Sequence, residues 1–192
     1  MNLTTPSPLM LVLIAGIILA AGLALWMYIQ KRRTQNLRSK FGPEYDRAID
    51  EHRDRSHAEL ELDNRIKRVA KFNIQPLKPE DRIRFAEEWR REQALFVDNP
   101  NAAVDHADIL VQDVMHRRGY PVSDFEQNAA DLSVDHPQVV ENYRFAHGVA
   151  LRESRNPDGT PGRTEELRKA MISYRALFDD LLALEKPVEA PR

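Results

Sequence analysis

Cysteine is absent from the 192 residues, which excludes disulfides, thiolate nucleophiles, Cys-ligated zinc and iron–sulfur clusters. Glycine is scarce, at seven residues, and no GxGxxG or GxxxxGK[ST] run is present to cradle a phosphate. The GxSxG nucleophile elbow and the HExxH zinc motif are missing too. No stretch alternates apolar and polar residues between turn signals, so β-strands explain nothing in this chain. Residues 1–30 carry no charged side chain, and residues 31–40 carry five basic residues and no acid. Removing those five from the 28 Lys and Arg leaves 23 against 30 acidic residues for the rest of the chain. A body with that balance neutralises phosphates poorly, which argues against nucleic-acid binding.

What is present begins with Leu9 to Ile29, an uncharged apolar run followed at once by Lys31, Arg32 and Arg33. As helix it extends about 31 Å, the hydrocarbon thickness of a bilayer. It predicts a single transmembrane helix at 9–29 behind a short non-cytoplasmic tail at 1–8. A cleavable signal peptide would have a basic start and a shorter apolar run. Gly22-Leu23-Ala24 leaves a small-residue cleavage pattern within this one. Trp26 and Tyr28 occupy the place of an interfacial aromatic belt, and bases on the carboxyl side favour a cytoplasmic body. Lys31, Arg32, Arg33, Arg38 and Lys40 are the expected contacts to anionic headgroups, at about 1 kcal/mol per base near the surface. Gly16, Ala20 and Ala24 recur every four residues, a small-residue stripe through which two spans can approach as a homodimer.

Phe41-Gly42-Pro43 breaks the helix that continues from the span, and Pro43, with Glu44 and Asp46, suits the first turn of another. Between Ile49 and Leu60 the sole apolar residue is Ala58, so that interval is expected to avoid a core. Pairs such as Glu61 with Arg65 and Asp63 with Lys67 stand at the spacing that supports an exposed helix. The stretch from Pro43 to Asn73 therefore reads as one solvated helix within a basic juxtamembrane and connector region, 30–78. Pro76 and Pro79 punctuate its end.

From 79 to 186 the apolar periodicity is helical throughout. Ile83, Phe85, Ala86, Trp89, Phe96 and Val97 form one broad apolar side and Ala103, Ala107, Leu110, Val111, Val114 and Met115 the next, with Asn101 as its expected cap. Ser123 and Glu126 form a capping box, and Asp135 is positioned to cap a helix beginning at Pro137. The last stripe runs Leu167, Met171, Tyr174, Phe178, Leu181, with Thr164 as the expected cap. The expected fold is all-α: one transmembrane helix, a charged helical connector and a compact bundle of about four or five helices, ending in a disordered tail at 187–192.

The stretches LRSKFGPEYDRAI at Leu37 to Ile49, FVDNP at Phe96 to Pro100 and RGYPVSDFEQNAADLSVDHP from Arg118 to Pro137 resemble a family of small bacterial membrane-anchored helical proteins. The resemblance covers most of 37–182. It implies a bacterial source and carries no activity with it.

The densest polar stretch lies between Arg118 and His147. Asp131, Ser133 and Asp135 imitate the opening of a calcium loop, but His136 stands where Gly is needed and Asn142 where a bidentate Glu is needed. The six histidines have no common metal-binding spacing. No metal or cofactor is expected. Tyr120, Asp124, Phe125, Glu126, Asp131, Asp135, His136 and His147 form the candidate interaction surface, aromatics rimmed by acids that could receive a basic protein partner. The plainer reading is that Tyr120 and Phe125 close a core between helices. The sequence thus points to a single-pass, cytoplasm-facing interaction or scaffold module of the bacterial inner membrane, without catalysis. The alternative is a membrane-tethered small-ligand sensor or hydrolase that uses the acidic and histidine cluster at 124–147.

Overall fold

A computed structural model describes residues 8–121, 123–155 and 163–183, and within them the chain folds into helices alone. The 34 residues of α1, Pro8–Phe41, form one uninterrupted helix about 51 Å long at the usual rise. One window of it has mean hydropathy 2.0 and no buried residue, and α1 is the one described helix long and apolar enough to cross a membrane. Its far end differs: Leu37 and Phe41 are buried, Phe41 completely. The same helix therefore exposes apolar side chains along its first two thirds and enters the body of the protein with its last turns.

Gly42, at φ 52°, ends α1, and Pro43 opens α2, Pro43–His52, as the sequence indicates. The remainder of the connector departs from the expectation of one solvated helix. Arg53 adopts a left-handed conformation at φ 54°, and Asp54 accepts hydrogen bonds from the Ser56 and His57 amides to start α3, Arg55–Val69. This turn falls inside the charged interval that is poor in apolar residues. The interval reverses the chain here, and contrary to the expectation that it avoids a core, Ala58 and Glu59 just beyond the turn are buried. Tyr45 and Ala48 of α2 and Ala58, Leu62 and Val69 of α3 then close a small second core around Leu37 and Phe41. Full burial of a side chain such as Phe41 stabilises by roughly 2 to 3 kcal/mol.

The bundle comprises α4, Pro79–Asp98, α5, Pro100–Arg118, α6, Phe125–Asp135, α7, Val140–Arg155, and α8, Arg163–Leu182. The pairs α4 with α5 and α7 with α8 pack closely, and α5 also lies along α8. Trp89 and Phe178 stack at the centre, 4.8 Å between centroids. Among the caps, Asn99 rather than Asn101 holds α5, accepting from the Ala102 amide, with Pro100 in the first turn. Asp124 rather than Ser123 holds α6, accepting from Gln127. Because α7 begins at Val140, Asp135 caps nothing there and accepts instead from the Tyr120 hydroxyl at 3.0 Å. The expected cap Thr164 lies inside α8, and the tail 187–192 lies outside the described residues.

Helix α6 joins the two cores: Val134 belongs to the small one, Ala129 and Leu132 to the large one, and Phe72 and Ile74 touch both. The joint depends on Gly119, which ends α5 at φ 101° and passes so close to the α3–α4 connection that a Cβ would meet the Asn73 carbonyl oxygen at 2.3 Å. Replacing it with Ala forces both the backbone and the contact, so Gly119→Ala should destabilise by about 2 kcal/mol or more. Chemical denaturation of the detergent-solubilised chain would show this as a lower midpoint.

Candidate functional site

The densest polar constellation lies where α1–α3 meet the bundle, and its centre is Glu44, 2% exposed in the first turn of α2. Glu44 Oε1 accepts from Arg144 Nη2 of α7 at 2.6 Å, from Arg65 Nη1 of α3 at 3.0 Å and from Arg47 Nη1 at 3.4 Å. Arg65 also reaches Glu61 at 3.1 Å. Around this centre lie two further buried carboxylates. Glu59 Oε1 accepts from Thr34 of α1 at 2.7 Å and from the Tyr45 hydroxyl at 2.9 Å. Burial pushes the Tyr45 hydroxyl up, with Arg55 opposing. Asp131 accepts from Arg68 Nε at 2.8 Å; burial nevertheless pushes its carboxyl up, outweighing the guanidinium.

Beside the local pairs of Glu44 with Arg47 and Glu61 with Arg65, the others link different helices, Glu44 with Arg144 across 100 residues being the longest. A hollow of about 230 Å³ opens beside Glu44 between Arg47, Glu61, Arg144, Asp124 and Glu126. Its charges are mixed and it holds no histidine, serine or threonine.

The residues expected to form one acidic and aromatic surface are divided among several places. Tyr120 is 1% exposed and belongs to the large core. Asp131 is buried against Arg68, facing α3. His136, largely buried, ends α6 and bonds through Nδ1 to Asp180 of α8. Phe125 lies flat on His147, 3.7 Å between centroids and 6° between planes. Asp124, Glu126 and Asp135 remain exposed, and Glu126 lies 3.5 Å from Arg144. The carboxylate beside His147 is Asp108 of α5, at 3.7 Å, rather than any of those at 124–135.

Asp108 lies outside the surface expected from the sequence, yet it is a centre of polar contacts. It accepts from the Tyr174 hydroxyl at 3.1 Å and from Gln112 at 2.9 Å. Burial, reinforced by Asp108, pushes the hydroxyls of both Tyr143 and Tyr174 up. The signal was its register: Asp108 follows Val104 by four residues and precedes Val111 by three, which places it on the edge of the inward stripe.

The basic residues fall into two groups. Arg33 pairs with Asp63 of α3 and Arg38 with Asp46, while Lys31, Arg32 and Lys40 are exposed on α1. Gly16, Ala20 and Ala24 are likewise exposed. Among the described residues no group of three or more His, Cys, Asp or Glu side chains could hold a metal ion. Comparison of the chain with models of protein families, with curated proteins and with solved structures finds no match.

Glu44 gives a direct test of the hub. Truncating one member of a buried ion pair leaves the other charge uncompensated, at a cost of about 3 to 5 kcal/mol. Glu44→Ala should lose stability on that scale, whereas Glu126→Ala at the exposed end of the same chain of charges should change it by less than about 0.5 kcal/mol. Equilibrium unfolding of both variants in one detergent compares them.

Proposed function

We propose that this protein is a single-pass, cytoplasm-facing interaction module of the bacterial inner membrane, holding a helical bundle in a fixed attitude at the bilayer surface. The observation that carries the reading is the double character of α1. Its apolar segment is exposed at every described side chain from Leu11 to Ile29, and its end is locked into the body through Leu37, Phe41 and Thr34. Lipid is the solvent that such an exposed surface suits. The bases at 31–40 favour a cytoplasmic body by the positive-inside rule. Within the body, the exposed carboxylates Asp124, Glu126 and Asp135 offer a rim for a basic segment of a protein partner. A hydrolase would need His147 beside two carboxylates of the 124–135 stretch, and the dispersal of those groups favours recognition over catalysis.

The absence of native cysteine makes the topology directly measurable. A cysteine at Thr5 should react in intact cells with a maleimide that cannot cross the inner membrane, and a cysteine at exposed Lys169 should react only after lysis. The reverse pattern would overturn the orientation. For the partner, a photo-crosslinker at Glu126 should capture a protein with a basic segment, and recovery of lipid and self alone would remove the interaction reading.

A further inference from the structure

A groove of about 420 Å³ runs along α1 where the apolar segment gives way to the bases, with α3 as its other wall. Its volume falls in the range of roughly 300 to 1,000 Å³ common to small-molecule sites. Ile29, Leu37 and Ile66 supply apolar lining, and Arg32, Asn36 and Lys40 supply polar lining. The ion pair of Arg33 with Asp63 ties the two walls together. Arg32 turns back over the Tyr28 ring, 5.1 Å from its centroid. Among the described residues no carboxylate pairs with Arg32 or Lys40, in contrast to Arg33 and Arg38.

Depth along the helix selects the occupant. Arg32 lies about 4.5 Å beyond Ile29 on the helix axis, within the headgroup layer of roughly 5 to 7 Å that borders the hydrocarbon on each side. Lys40 lies about 16 Å beyond Ile29, and side chains on a helix incline toward its amino terminus, which here is the direction of the bilayer. The groove is therefore apolar where it joins the lipid-facing surface, cationic through Arg32 at the level of phosphates, and cationic again through Lys40 just beyond the headgroup layer.

We propose that this groove holds one anionic phospholipid from the surrounding leaflet. Its phosphate sits on Arg32, its glycerol and first chain carbons lie against Ile29 and Ile66, and Lys40 closes over the outer end of the headgroup. The proposal rests on the membrane-anchored reading and adds a defined lipid site to it. It differs from attraction by a diffuse basic collar because Lys31 and Arg38 carry the same charge on the same segment without lining the groove.

The test uses the full chain in nanodiscs of phosphatidylcholine with a minor fraction of phosphatidylglycerol, extracted into detergent and weighed intact by native mass spectrometry. The wild type should retain one phosphatidylglycerol. The double variant Arg32→Gln/Lys40→Gln should retain it about thirtyfold less, following the contribution of each base near a membrane surface. Asn36→Phe, which fills the groove and leaves every charge in place, should also lose the lipid, and Lys31→Gln should keep it. All four proteins should melt within a few degrees of one another, since the altered residues are exposed. Equal losses in Lys31→Gln and in the groove variants, or full retention in Asn36→Phe, would overturn the site and leave the anchor intact. Failure of the wild type to resist carbonate extraction from phosphatidylcholine vesicles would overturn the anchor and the site together.

Discussion

Everything in this fold depends on the unbroken hydrogen-bonded ladder of α1. A flexible linker between Ile29 and Leu37 would leave the apolar segment and the body free of one another. A continuous helix makes them one rigid unit, because bending it sharply would forfeit backbone hydrogen bonds that only Pro, Gly or an inserted side chain readily disturbs. No Gly or Pro stands between Gly22 and Gly42, and at Gly42 the helix stops. The position of α2 and α3, the seat of α6 and the orientation of the whole bundle follow from where Leu37 and Phe41 are buried.

Burying the end of a charged helix brings charges inward, and the junction resolves this by pairing them. Glu44, Glu59 and Asp131 are each nearly inaccessible, and each meets a guanidinium or a hydroxyl from another helix. Such pairs add less stability than their Coulomb attraction suggests, because desolvation offsets it. What they add is geometry. An unpaired carboxylate at any of these sites would be costly, so the contact of α7 with α2 through Arg144 holds one arrangement against slipped alternatives. The upward displacement of the Asp131 carboxyl shows the opposing effects in one group: burial disfavours its charge while Arg68 favours it, and burial prevails.

In the proposed setting, this rigidity gives the module its use. A bundle locked to its anchor meets the bilayer at one angle, so the exposed carboxylates near the start of α6 face a fixed direction, and the cationic groove between α1 and α3 stays at headgroup depth. Motion of the body relative to the membrane would then be motion of the whole unit.

The apolar run, the helical class, the breaks at Gly42 and Pro79 and the stripes of α5 and α8 were legible in the sequence, because they follow from local periodicity and from residues whose backbone chemistry admits few conformations; of the apolar side expected for α4, Phe85 and Trp89 are buried while Ile83 and Val97 are exposed. The turn at Arg53–Asp54 was not legible in that way, since neither Gly nor Pro marks it, and a charged stretch reads alike whether it is solvated or paired. Pairing is decided by residues as distant as Glu44 and Arg144, which only the packing of α7 against α2 brings to 2.6 Å. For the same reason the polar residues from Tyr120 to His147 looked like one surface while the fold divides them: adjacency along a helix assigns neighbouring residues to opposite faces, and tertiary packing then gives each face a different partner.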